Sequence, residues 1–217
     1  MPLDSVLDEL TVSAYNEAAA QYARDWDEQP TPDDLYEILR HFFRPGPTVD
    51  IGCGSGRDAA WLAANGFEVS GYDASEGILQ QARALHPQLS FGVAVLPELQ
   101  GLQPGSYENV LCETVIMHFS AHAIGPAAAS LLGLLRPSGT LYLSWRVTEG
   151  ESVRDLNGRL YTSFDKQLVL KELGVGDVVL LDKEQLSLSS GKKLQRLVLR
   201  KGSLSGLSNL KDSEREE

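Results

Sequence analysis

This chain is short of cysteine, short of basic residues and without a long apolar run, and each shortage excludes something. Its two cysteines, Cys53 and Cys112, form no CxxC pair and fit no metal-ligand spacing. They are expected as reduced thiols in a cytoplasmic protein. No disulfide is needed, because a chain of 217 residues buries roughly 70% of its unfolded surface on folding. No apolar stretch approaches the roughly 20 residues of a membrane helix. The first residues, MPLDSVLDELTV, lack the basic-then-apolar order of a secretory signal. Lys and Arg number 19 against 30 Asp and Glu, a formal net charge of -11. Residues 1–50 alone hold 11 acids against three Arg. A nucleic-acid partner is not expected, because neutralising phosphates needs a basic face. The local cluster Lys192, Lys193, Arg196, Arg200 and Lys201 reads as a solvated strand edge guarded against aggregation.

What is present is an alternation of strands and helices. Tyr15, Ala18, Ala19, Tyr22 and Trp26 make one helical stripe over 15–26. Thr31-Pro32-Asp33-Asp34 predicts a second helix start with Thr as cap. After Pro45-Gly46-Pro47, strands are expected at 49–51, 68–72, 89–95, 109–112 and 140–145. Helices are expected at 57–64, from Ser75 to about 85, and from about Gly125-Pro126 to 135. Arg136-Pro137-Ser138-Gly139 suits a type I turn. Asn157-Gly158 signals a hairpin, 165–173 a helix, and 177–182 with 194–200 a closing antiparallel pair. The expected fold is α/β, with a largely parallel sheet covered on both faces. Residues 1–201 are expected as one domain with a helical cap at about 1–45, and 202–217 as a flexible tail.

Between the first and second strands runs VDIGCGSGRDAAWLAANGFEVSGYDAS, Val49 to Ser75. Gly52, Gly54 and Gly56 allow a sharp strand-to-helix turn and leave no Cβ in a ligand's path. The unpaired amides that follow lie at the positive end of a helix. Asp73 closes the second strand beside them, where a carboxylate accepts the hydroxyls of a ribose. The pair implies a nucleoside-bearing ligand. A dinucleotide loop reads GxGxxG, but Arg57 stands where its third glycine would fall. Arg57 either pairs with Asp58 or holds a ligand carboxylate, and both readings stay open.

Asp50-Ile51-Gly52-Cys53-Gly54-Ser55-Gly56, with Gly71-Tyr72-Asp73-Ala74-Ser75, resembles the class I S-adenosylmethionine-dependent methyltransferase family. Val110-Leu111-Cys112-Glu113 and the Leu134–Leu141 segment extend the resemblance to about residues 15–200. Gly56–Leu62 and Val115–Phe119 are similar to small-molecule members of the tellurite-resistance and ubiquinone-pathway types. The resemblance implies a Rossmann-like, doubly wound seven-stranded sheet with an antiparallel C-terminal edge. It implies S-adenosylmethionine as cofactor, no metal, and a small-molecule acceptor methylated by in-line displacement. Gly52, Cys53, Gly54, Gly56, Arg57 and Ala74 would line the cofactor site, with Asp50 on the amino group and Asp73 on the ribose. The acid often found after strand three is missing, so adenine would rest on Ala94 and Val95, or on Glu98. Tyr15 and Tyr22 would close over the cofactor, although a core stripe explains the same spacing; Trp26 reads as packing.

The candidate catalytic residues are Glu113, His118 and Tyr161, each with a bland reading as a solvated or packed side chain, and Glu113 is also expected in the cofactor site, on its amino group or on the acceptor. Arg146, Arg154, Arg159 and Tyr161 fall where family members build an acceptor pocket. His118 and His122 have zinc-motif spacing, but Phe119 replaces the required Glu. Cys112-Glu113-Thr114-Val115 replaces the Asn/Asp-Pro-Pro-Tyr of nucleic-acid amino methylases. Two rival functions are a non-catalytic cofactor-binding domain and a nicotinamide-dependent oxidoreductase. No nucleic acid and no membrane are expected as partners, and a monomer or homodimer is expected.

Overall fold

The computed structural model describes residues 8–203. The N-terminal stripe forms two helices, α1 (Glu9–Glu17) and α2 (Ala19–Asp27), not one. The break is at Ala18, whose φ of -109° and ψ of 21° leave the helical region. Asp8 caps α1 by accepting from the Thr11 N–H at 2.8 Å. The third helix, α3 (Asp33–Phe42), is capped at Pro32 rather than Thr31, with no side-chain cap bond, and Asp33 and Asp34 complement its positive end.

The next elements are β1 (Pro47–Ile51), α4 (Arg57–Ala64), β2 (Glu68–Asp73), α5 (Glu76–Leu85), β3 (Ser90–Val93) and β4 (Tyr107–Cys112). Gly66, at φ +86°, closes α4, and Ser75 Oγ caps α5 by accepting from the Ile78 N–H. A 3₁₀ turn, Ile116–His118, leads to α6 (Ala121–Leu134). This helix starts a turn earlier than its proline suggests, and Pro126 lies inside it. The strand β5 (Leu135–Arg146) takes in the expected type I turn, because Ser138 adopts φ +66° and the pairing with β4 slips between Tyr107 and Asn109. The hairpin β6 (Val153–Arg154) and β7 (Leu160–Tyr161), a short α7 (Gln167–Leu170), β8 (Val178–Leu186) and β9 (Lys193–Arg200) complete the order. Of the expected tail, 204–217 lie outside the described residues.

The sheet runs β3-β2-β1-β4-β5-β9-β8. Pairings from β3 through β5 are parallel; β9 is antiparallel to both β5 and β8. The antiparallel strand therefore lies one place in from the edge. Side chains alternate across the central strands, and both faces are buried. Val110, Cys112, Leu141, Leu143, Leu197 and Leu199 meet α6 on one face. Leu111, Tyr142 and Val198 meet α3 and α4 residues on the other. Strand order reverses about β1, which puts the loops after β1, β2 and β4 at one edge.

A buried polar clamp fixes the chain leading into β1. Asn109, fully buried on β4, donates from Nδ2 to the Arg44 carbonyl at 2.7 Å and to Thr48 Oγ1 at 2.9 Å. Its Oδ1 accepts from the Arg44 N–H at 3.1 Å. Replacing Asn109 by Ala removes one buried and two half-buried bonds and is expected to cost about 2–3 kcal/mol of stability. Urea unfolding of the two proteins measures this, and a loss below half a kilocalorie would contradict it.

Candidate functional site

The loop after β1 turns through three glycines at positive φ: Gly52 at +75°, Gly54 at +55° and Gly56 at +85°. Their freedom serves different ends. A Cβ on Gly52 would come within 2.1 Å of Val115 Cγ2, and one on Gly54 within 2.8 Å of Trp26 Cζ3. One on Gly56 would strike Phe91 and His86 of the β3 side. Gly56 thus seats α4 against the sheet and lies outside the cavity lining, contrary to the expectation for it.

Asp73 fixes this loop. Its Oδ2 accepts from the Gly54 N–H at 3.0 Å and its Oδ1 from the Ser75 N–H at 2.9 Å. Each oxygen keeps a lone pair for a further donor. Burial raises its pKa, and the backbone N–H groups pull the other way. Asp50, at the end of β1, is buried with Oδ2 unpartnered. Burial, then repulsion from Asp58 and Asp73, pushes its pKa well up.

Two adjoining hollows open on this edge. The first lies between β1, β2 and the N-terminal helices, lined by Gly54, Asp73, Ala74, Ala94, Leu96 and Tyr15 among others. Leu96 takes the place expected for Val95, because the chain leaves β3 after Val93 and presents Ala94 and Leu96 inward; Val95 and Glu98 are not among the lining residues. The second is lined by Asp50, Cys53, Arg57, Met117, Arg146 and Tyr161 among others. Gly52, Gly54, Tyr15, Trp26, Glu113 and Thr114 face both. Trp26 lies over the loop and stacks on Tyr22 at 5.9 Å. Tyr22 is buried behind it and does not line either hollow. Tyr22 thus follows the core-stripe reading of its spacing, while Trp26, expected as packing, is cavity wall, since one helical turn separates a cavity wall from its backing.

At the end of β4, Ser144 of β5 donates to Glu113 Oε2 and accepts from the Thr114 N–H at 3.1 Å. Thr114 is held at φ +56°, a strained conformation for a branched residue. Burial raises the Glu113 pKa, against the pull of Arg196, Ser144 and Tyr142. Nothing in the sequence marked Thr114 or Ser144. The Arg57 guanidinium binds Asp58 through Nε at 2.9 Å and NH2 at 3.3 Å, the first of its two readings, while still facing the second hollow.

The helices α1 and α2 and the β6–β7 hairpin cover the hollows and are fastened together. Arg154 binds the Asp8 carboxylate at 2.5 and 2.9 Å, holding its pKa down at about 2, and so stands outside the cavity. Thr11 Oγ1 accepts from the Leu160 N–H at 2.9 Å, and Asn157 donates to the Tyr22 hydroxyl at 3.0 Å. Underneath, His118 Nδ1 lies 2.6 Å from the Leu160 carbonyl, so that nitrogen carries the proton. Burial lowers its pKa to about 4, leaving Nε2 to accept from the Tyr15 hydroxyl at 3.1 Å. Both nitrogens are thus engaged by the protein.

Residues 48–139 match the methyltransferase domain family. The chain is 36% identical over 107 residues to ubiquinone biosynthesis O-methyltransferase of Xanthomonas campestris, covering 46% of this chain and 43% of that protein. It therefore spans less than half the length of this curated relative. Its fold matches 1,6-didemethyltoxoflavin-N1-methyltransferase of Burkholderia thailandensis, solved with 1,6-didemethyltoxoflavin and S-adenosylhomocysteine bound. The TM-score is 0.70 at 20% identity, covering 93% of this chain and 94% of that one. The cyclase SpnF also shares the fold, with a TM-score of 0.69 at 14% identity, covering 91% and 97%. No described helix is long and apolar enough to cross a membrane.

His118 carries a testable pH signature. Its folded-state pKa lies below the ordinary value near 6.5, so between pH 6.5 and 4 the unfolded chain binds the extra proton. Its contribution is complete above pH 6.5 and is lost as pH falls through that window. In His118→Gln the fall in unfolding free energy from pH 7 to pH 5 should be smaller than in the parent by about 2 kcal/mol. Parallel pH profiles in urea titrations would contradict the buried neutral imidazole.

Proposed function

We propose that this protein transfers a methyl group from S-adenosylmethionine to a small-molecule acceptor, a reading supported by the match of residues 48–139 to the methyltransferase domain family. The observation that carries the reading is the pair of strand-end carboxylates flanking the glycine loop. Asp73 retains one lone pair on each oxygen for a ribose, and the unpartnered Asp50 Oδ2 waits for an ammonium group. A buried and a half-buried acid beside a glycine turn suit a ligand that is a sugar at one end and a cation at the other. Ala94, Leu96 and Ile78 offer an apolar bed for a base.

The cofactor supplies the methyl group on a sulfonium, a good neutral leaving group. The chain's own work is to align the acceptor with it and exclude water. Gly52, Gly54 and Trp26 line both hollows, and the clasped N-terminal helices cover them on one side. Glu113, held by Ser144, faces both hollows and is the group best placed to meet an acceptor donor. His118 reaches a substrate proton only by giving up Tyr15, which makes it a positioning residue for the cover. The acidic charge supports action on a small molecule rather than nucleic acid, and we place residues 1–201 as one cytoplasmic unit, monomeric or homodimeric.

A second reading, a cofactor-binding domain with other chemistry, is favoured by one observation: SpnF, a cyclase, has this fold, and fold does not dictate reaction. Labelled S-adenosylmethionine incubated with a metabolite panel separates the two. Acceptor-dependent release of S-adenosylhomocysteine supports transfer, and tight cofactor binding without release under any acceptor supports the other. Asp73→Ala should weaken S-adenosylhomocysteine binding by about 1.5–3 kcal/mol, the scale of bonds to a charged group; unchanged calorimetric affinity would remove the ribose role. Binding should also release protons, because a ligand ammonium beside Asp50 stabilises its ionised form. Titrations near pH 6.5 in buffers of different ionisation enthalpy should show this release, and Asp50→Asn should abolish it.

A further inference from the structure

The second hollow has a charge pattern that the cofactor does not explain. Four cations face it: Arg57, Arg146, Arg159 and Lys192. Two are already committed. Arg57 is bound to Asp58, and Arg159 to Asp155 through Nε at 2.8 Å and NH2 at 2.7 Å. The other acids facing the hollow are Asp50, which the proposed cofactor would take, and Glu113, held by Ser144. Among the described residues neither Arg146 nor Lys192 has a carboxylate within ion-pair distance, although the chain carries a net charge of -11. In so acidic a molecule, an arginine without an acid at a cavity wall is not explained by supply.

The setting of Arg146 shows what it waits for. It ends β5, half-buried, with its guanidinium carbon 5.0 Å from the centroid of the Tyr161 ring. Stacking on an aromatic face holds the planar fork in place and leaves its N–H donors free. Lys192, Ser187, Ser189 and Ser190 line the same hollow from the β8–β9 turn, where the Ser187 and Ser189 hydroxyls lie 3.1 Å apart, Ser187 Oγ accepts from the Ser190 N–H and Ser190 Oγ accepts from the Lys192 N–H. Tyr15, Trp26 and Met117 supply apolar wall. Free guanidinium donors, a lysine and serine hydroxyls together form a receptor for a planar anion.

We propose that the acceptor is a small carboxylate, its anionic group held by Arg146 with help from Lys192, and its nucleophilic atom directed toward Glu113 and the glycine loop. This deepens the methyltransferase reading and rests on it. Transfer forms one bond from the nucleophile to the methyl carbon and breaks the carbon–sulfur bond, whose electron pair leaves with the neutral thioether; a proton carried by the nucleophile passes to the Glu113 carboxylate or to water. The anchoring carboxylate is unchanged.

The test uses the full chain loaded with S-adenosylhomocysteine. Hydroxybenzoates, aminobenzoates and short aliphatic carboxylates are each paired with their methyl ester or amide, and binding is followed by calorimetry and ligand-observed NMR. At least one carboxylate should bind ten-fold or more tightly than its neutral partner, weakening with added salt. Arg146→Gln should erase that preference, Arg146→Lys should restore part of it, and S-adenosylhomocysteine affinity should stay within two-fold in both. Equal binding of every acid and its neutral partner, or a preference that survives in Arg146→Gln, overturns the proposal. Failure of S-adenosylhomocysteine to bind the parent protein overturns the cofactor reading instead, and this inference with it.

Discussion

The carboxylate of Asp73, accepting at once from the amides of Gly54 and Ser75, is the contact on which the rest of the site depends. It joins the glycine loop, the end of β2 and the start of α5 at a single side chain. A loop of three positive-φ glycines has much conformational freedom to lose. An ionised acceptor at its centre fixes one shape and makes the bond stronger than a neutral one would be. That shape seats Gly56 under Phe91, opens Gly54 to Trp26 and leaves the outer lone pairs of Asp73 facing the cavity.

Electrostatics divides the site into two ends. Around the loop, burial and then repulsion from Asp58, Asp73 and Glu113 disfavour the ionised form of Asp50, and burial does the same at Asp73 and Glu113. At the far end of the second hollow the balance reverses, with Arg146 and Lys192 unmatched. Such a gradient orients a ligand pair that is cationic on one side and anionic on the other. It is built from strand ends, so the sheet itself fixes the spacing.

Much of this was legible in the residues. The bounds of α4, the Ser75 cap, the Gly66 stop and Asp73 follow from local signals: glycine, capping hydroxyls and periodicity. The features missed depend on contacts distant in sequence. The break at Ala18 bends α1 so that Asn16 can accept from the Gly77 N–H and Ser75 Oγ, 59 to 61 residues away. Trp26 and Tyr22 lie on one stripe, and only the position of the β1 loop decides which is cavity wall. Pro126 was expected to open α6, but Ser120 precedes a helix whose apolar face already begins at Ala123 and Ile124. Thr114 looks like an ordinary loop residue until Ser144 arrives from a parallel strand thirty residues on.

The cover over the hollows is attached differently along its two sides. Toward α5 it is seated on hydrocarbon, through Ala19, Tyr22 and Ile78, and pinned where Asn16 accepts from Ser75 Oγ and the Gly77 N–H. Toward the hairpin it is laced by an exposed guanidinium–carboxylate pair and two hydrogen bonds. The Arg154–Asp8 pair is a contact that water and dissolved ions can replace. The laced margin of the cover is therefore the one whose fastening should weaken as ionic strength rises.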